Sequence, residues 1–284
     1  MNEPKEKEYD FEEIRLRDES AFLEPRPSGI KAWAQEAVAR VATRPKVKLL
    51  DISRYQRGEV KDPKAIWNAG YRGVIVQATY GLQKDVAFDE HWRVFLDNGF
   101  AVLTYHMFYG TIYGVDQAHH HLETIRPLWE AQKAKYPAFK DIEIHDGATN
   151  ANRITRSIDW ASEIRKETRP GTYCNLKYWQ ELMNNTVLGD EIGWVASWSP
   201  YETFTVPKGW TQEQVLFRQI GVSRKHSWVE IVPGMSGDVD VDVFYGTEAG
   251  LSGLAIRETP STSLLDKVRK IRDLAEEALR ELGV

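Results

Sequence analysis

A β/α barrel whose last strands lose their helices is the fold class this sequence predicts, on three observations. Short apolar runs rich in β-branched residues recur from residue 47 onward, each of strand length. Helical periodicities separate the earlier runs, the alternation expected of parallel βα units. The last two runs, 215–220 and 239–244, have no helical pattern between them.

The elements follow in order. Residues 1 to about 26 mix charges and close on Glu24-Pro25-Arg26-Pro27, an arm that needs a partner to order it. Ser28 then precedes Ile30, Trp33, Ala34, Ala37, Val38 and Val41, a capped stripe at helical spacing. Residues 1–45 are therefore an arm with a short helix. The barrel spans 46–257 and opens with a buried strand at 47–52. A helix over 62–69 ends at Gly70, and a strand follows at 73–79. Next come a helix at 88–98 stopped by Gly99, a strand at 100–108 and a helix at 116–135. A strand at 141–144 runs into the turn Asp146-Gly147. Helix 154–168, strand 171–175, short helix 176–183 and strand 193–198 lead to the two late strands. Beyond Pro260, in the segment 258–284, residues 263–282 form an amphipathic helix. Its Leu264, Val268, Ile271, Ala275, Ala278 and Leu282 are spaced alternately four and three apart, a coiled-coil seam. Three readings fit that seam: folding back on the barrel, self-association, or docking on another protein such as a virion component.

Composition removes several function classes. The net charge of −5 is mixed and no basic cluster is present, so no nucleic-acid partner is expected. No apolar run reaches the roughly 18 residues that cross a membrane, so membrane insertion is not expected. The charged N-terminus lacks the apolar core of a signal peptide. The expectation is synthesis in the cytoplasm and action after release or within a particle. The single Cys174 cannot form an internal disulfide and is expected to be buried. His119, His120 and His121 are consecutive on a helix and face different ways, which does not suit a metal. No phosphate-binding glycine loop follows a strand. Neither cofactor nor metal is expected.

The chemistry is concentrated at Asp141-Ile142-Glu143. Strand side chains alternate faces, so Asp141 and Glu143 share one face. Repulsion and burial raise the pKa of one member, which then stays protonated beside an ionised neighbour. General acid catalysis at a glycosidic bond needs that pairing. In a βα barrel, chemistry sits at the C-terminal ends of the strands. Asp51, Ser53 and Gln56 fall there, as do Tyr105, His106, Tyr173, Asn175, Trp198, Gln219, Asp240 and Asp242. Burying so much negative charge is costly unless function requires it. Ten Trp and twelve Tyr supply rings that stack on sugars as well as fill cores.

The ordered set Asp51-x-Ser53-x-x-Gln56, Ala78-Thr79-x-Gly81, Tyr105-His106-x-Phe108, Asp141-x-Glu143, Tyr173-x-Asn175, Trp194-Val195-Ala196 and Asp240-x-Asp242-x-Phe244-x-Gly246 resembles the glycoside hydrolase family 25 lysozymes. These are muramidases of bacteriophages, bacteria and some fungi. The likeness covers about residues 47–248. It implies a flattened, TIM-like β/α barrel with an acidic groove. It also implies hydrolysis of the β-1,4 bond from N-acetylmuramic acid to N-acetylglucosamine in peptidoglycan glycan strands. By position, Glu143 resembles the general acid, and Asp141, Asp51 and Asp240 the acids around the scissile sugar. Ser53, Gln56, Tyr105, His106, Tyr173, Trp198 and Gln219 would bind substrate. Three departures bear on substrate fit. Gln77-Ala78-Thr79-Tyr80-Gly81 replaces Lys-Ala-Thr-Glu-Gly, Arg218-Gln219 replaces Trp-Gln, and Asp242 replaces the usual Asn. The alternative is a weakly active barrel kept as a wall-docking or structural module of a phage particle.

Overall fold

The computed structural model describes residues 44–201 and 204–256. The N-terminal arm, the 28–41 helix and the 263–282 helix lie outside the described residues. The chain enters through β1 (Lys46–Ile52), a 3-10 turn (Arg54–Gln56), α1 (Pro63–Asn68), β2 (Tyr71–Tyr80) and the short β3 (Gln83–Lys84). It continues through α2 (Phe88–Asp97), β4 (Ala101–Met107), α3 (Gly114–Gln132), β5 (Ala138–Asp141), α4 (Asn150–Arg165), β6 (Pro170–Asn175) and α5 (Leu176–Met183). The strands β7 (Ile192–Ala196), β8 (Val215–Val222) and β9 (Asp240–Tyr245) then follow without an α-helix between them, and α6 (Glu248–Gly253) comes last. Side-chain caps start many of the helices. Asp62, Thr149, Asn175 and Thr247 accept from the backbone N–H of Ala65, Asn152, Tyr178 and Gly250. The Thr149 cap explains why α4 begins at Asn150, ahead of the apolar periodicity that marks residue 154.

One sheet of nine strands has the order β1-β9-β8-β7-β6-β5-β4-β2-β3, and pairing of β1 with β2 closes all but β3 into a barrel. Neighbours are parallel around the ring except at β9, which runs antiparallel to both β8 and β1. Toward the N-terminal ends of the parallel strands, inward side chains plug the barrel. Phe139, Trp194, Phe217 and Phe244 meet there, with ring centroids 5.2 to 5.5 Å apart. Each such buried ring contributes about 1.5–3 kcal/mol. Gly171 is required by this packing, because a Cβ there would stand 2.3 Å from the Phe139 ring. The opposite mouth is lined by polar side chains.

Strand alternation overturns one expected assignment. Tyr105 and Met107 point into the barrel mouth, whereas His106, between them, is fully buried on the other face beneath α3. It is therefore not a substrate-binding residue. Its ring lies among polar partners whose orientations fix its tautomer. Gln117 Nε2 donates to the carbonyls of Tyr109 and Ile112, so its Oε1 faces His106 Nε2 at 2.9 Å. His106 Nε2 thus carries the proton, and Nδ1 accepts from the Thr79 hydroxyl at 2.8 Å. Thr79 Oγ1 in turn accepts from His121 Nδ1 at 2.7 Å. Burial pushes His106 down to about 4, against the hydrogen bond that it donates to Gln117, and burial holds His121 well below its ordinary value.

Both rings are therefore neutral in the folded protein. The unfolded chain takes up a proton near the ordinary value of 6.5, while folded His106 waits until about 4. Its stabilising share is intact above that ordinary value and is lost as pH falls toward about 4, by at most about 3 kcal/mol. Nitrogen NMR should show a neutral His106 ring protonated on Nε2 at about pH 5.5, with urea stability already declining as pH falls below about 6.5. A folded-state ring that protonates at the ordinary value would contradict this network.

Candidate active site

A groove of about 820 Å³ opens at the C-terminal mouth of the barrel. Asp51, Asp141, Glu143 and Asp240 line it, together with Ser53, Gln56, Tyr105, Tyr173, Trp198 and Gln219. All the expected site residues except His106 are thus brought together from seven strands and the segments that follow them.

Glu143 is held beyond the end of its strand. The sequence reading places it inside a strand at 141–144, but β5 ends at Asp141. The chain is then pinned at Ile142, whose N–H donates to the Tyr173 carbonyl at 3.1 Å. The Ile142 carbonyl accepts from the buried Cys174 thiol at 3.0 Å. Three residues past Glu143, Asp146 accepts from Arg153 at 2.5 Å and from the Thr111 N–H at 2.8 Å. Burial works against its charge, but these bonds, with one from the Ala148 N–H, hold Asp146 below the usual carboxylate range. Glu143 is therefore fixed from both sides while its own side chain stays half-exposed to the groove.

Asp141 lies behind it, only 4% exposed. Burial first, then the charges of Glu143 and Asp51, push its carboxyl well above the usual range. Its Oδ1 has no hydrogen-bond partner among the described residues. The Asp141–Glu143 pair therefore keeps one proton at neutral pH. Asp242 sits below the groove, fully buried, with Oδ1 accepting from Trp194 Nε1 at 2.7 Å and Oδ2 without a hydrogen-bond partner among the described residues. Burial and the neighbouring Asp51 and Asp240 raise it well above the usual range, against that hydrogen bond. Burial and the surrounding carboxylates also raise the Tyr173 hydroxyl, which stays a donor. Asp51 accepts at Oδ2 from Gln219 Nε2 at 3.0 Å. Gln219 Oε1 accepts from the Tyr173 hydroxyl at 2.9 Å and from Trp198 Nε1 at 2.8 Å. Among the described residues, no three His, Cys, Asp or Glu side chains are grouped to hold a metal.

The sequence profile described as Glycosyl hydrolases family 25 matches residues 50–216. The chain belongs to that family. Its solved relatives include a bacterial lysozyme from Streptomyces coelicolor, 22% identical, with a TM-score of 0.62 over 73% of this chain and 96% of the other. A family GH25 lysozyme from Aspergillus fumigatus gives the same identity and score over 74% and 99% of the two chains. The protein YegX of Escherichia coli O6:H1, itself uncharacterized, is 24% identical over 87% of this chain and 86% of its own.

Within this family 25 barrel, some expected contacts are committed elsewhere. Ser53 and Gln56 reach the groove, but their side chains cap the turn after β1. Gln56 Oε1 accepts from the Ser53 N–H at 3.0 Å, and Gln56 Nε2 donates to the Asp238 carbonyl at 3.2 Å. Arg218 points away from the groove and donates to the carbonyls of Ser197, Ser199 and Tyr201. It holds the segment carrying Trp198 and does not face sugar. Tyr80 lies outside the groove lining, under the Arg54 guanidinium at 4.7 Å. The sequence reading missed Gln77, Arg54, Met107 and Tyr178 as lining residues. Met107 was available from the period-two alternation with Tyr105.

Asp141 and Asp242 each have a folded pKa above the ordinary value, so the folded state binds more protons than the unfolded chain at neutral pH. Their stabilising share is present at low pH and is lost as pH rises through and beyond the ordinary carboxylate range. Asp141→Asn and Asp242→Asn should therefore keep or raise the melting temperature at neutral pH, with the gain shrinking as pH falls toward about 4. Asp141→Asn should also lower activity by at least about 10²-fold. Calorimetry across pH checks the first expectation. A large drop in melting temperature for both variants would show that these acids serve structure.

Proposed function

We propose that this family 25 glycoside hydrolase is a muramidase that cleaves the β-1,4 bond between N-acetylmuramic acid and N-acetylglucosamine in peptidoglycan. Glu143 is its general acid. The observation that carries this reading is the placement of Glu143 at the groove in front of the enclosed Asp141, with Asp51 and Asp240 in the same lining. Asp141 is enclosed, whereas Glu143 is half-exposed and the only one of the two able to meet a glycosidic oxygen. Proton delivery from Glu143 lets the leaving sugar depart as an alcohol and leaves positive charge on the ring carbon and oxygen. Asp51 and Asp240, across the groove, supply the negative field that steadies that charge. Water completes the reaction, with its proton returning to the Asp141–Glu143 pair. Tyr105, Tyr173 and Trp198 provide ring surface along the glycan path.

The test is release of reducing sugar from purified peptidoglycan. Glu143→Gln matches the side chain in shape but delivers no proton. Turnover should fall by about 10²–10⁴-fold with the fold intact by circular dichroism. Near wild-type turnover in that variant would remove Glu143 from the role.

A further inference from the structure

We propose that Gln219 is a positioning residue of the hydrolytic site, holding Asp51 as a carboxylate fixed toward the groove instead of binding sugar. The inference rests on the muramidase reading, in which Asp51 faces the developing positive charge. Its basis is the orientation of one amide. An indole N–H only donates, so Trp198 Nε1 at 2.8 Å identifies the Gln219 atom it meets as the carbonyl oxygen. The Tyr173 hydroxyl donates to the same oxygen at 2.9 Å. The two lone pairs of that oxygen are then both occupied, and no acceptor capacity is left for a sugar hydroxyl. Nε2 must face the other way, where it donates to Asp51 Oδ2 at 3.0 Å. Gln219 itself is 3% exposed, so the amide has little room to turn.

The chemical consequence lies in Asp51. A donor to the charged form of a carboxyl favours that form. Ionised Asp51 is in turn one of the charges acting on Asp141. Gln219 thus acts through Asp51, and through it on the proton held by the acid pair, without touching the scissile bond.

The experiment uses full-length protein, solubilised peptidoglycan fragments and two variants. In Gln219→Leu, kcat should fall about ten- to a hundredfold, the loss of one hydrogen bond to a charged group, with KM changed less than about threefold. Carbon NMR should show Asp51 titrating at higher pH in this variant than in the wild type. Gln219→Glu keeps an acceptor for Tyr173 and Trp198 but donates to Asp51 only while protonated. Its activity should therefore decline with rising pH where the wild type remains active. A KM that rises severalfold with kcat retained would overturn the proposal in favour of a sugar contact. An Asp51 titration unmoved by Gln219→Leu would overturn it as well. If Gln219→Leu does not fold, the pH profile and Asp51 titration of Gln219→Glu decide. If the wild type releases no reducing sugar, the muramidase reading fails, and the Asp51 titration still tests the positioning role.

Discussion

Carboxylates crowded into the mouth of a closed barrel set the terms for everything around them. Taking a charge out of water is costly unless a partner or a proton neutralises it. The nearest cation by sequence is Lys140, adjacent to Asp141, and strand alternation turns it to the outside of the barrel. There Glu191 holds it at 2.5 Å, with the Thr172 hydroxyl on the same carboxylate. Arg54 lines the groove but is stacked on Tyr80. Among the described residues neither cation reaches Asp141 or Asp242, and neutral donors or a proton must serve there. Asp51 receives the Gln219 amide, Asp242 receives the Trp194 indole, and Asp141 Oδ1 receives neither. Burial does most to keep protons on Asp141 and Asp242, and for Asp242 it outweighs the one donor supplied.

The scaffold makes that arrangement durable. Glu143 lies outside regular structure, where backbone is ordinarily free to move. Its neighbours remove that freedom: Ile142 is bonded to β6 from both its N–H and its carbonyl, and Asp146 is clamped by buried Arg153. Breaking a buried pair of this kind by removing one partner typically costs about 3–5 kcal/mol. A proton donor on a loop is thereby held with the precision of one on a strand, yet still opens to the groove. Arg218 does the equivalent on the other side, tying three carbonyls of the segment after β7 so that Trp198 stays over Gln219.

Much of this was legible in the chain, and the limits have physical causes. Alternating periodicities located the barrel strands because burial on one or both faces imposes them. The acids at strand ends were recoverable because parallel barrels place chemistry there. His106 was misjudged because adjacency in sequence to Tyr105 means opposition in space on a strand. The role of Gln219 was hidden for another reason. Its partners Tyr173 and Asp51 lie 46 and 168 residues away. No local pattern encodes which end of an amide faces which neighbour. Arg218 read as a lost sugar contact, yet its parity on β8 is opposite to that of Gln219, which sends it outward.

The same parity has a consequence once substrate fills the groove. A bound glycan excludes water, and every electrostatic interaction among the acids strengthens as the local dielectric falls. The Asp141–Glu143 pair then holds its proton more tightly, which poises it but also opposes delivery. Asp51 feels the opposite demand, because its charge must persist in drier surroundings until positive charge develops on the sugar. A freely rotating amide could answer by turning its carbonyl toward the substrate and abandoning Asp51. Gln219 cannot, since Trp198 has only a proton to offer and would meet an N–H instead of an oxygen. The constraint that keeps Asp51 ionised is thus imposed by an indole that never touches it.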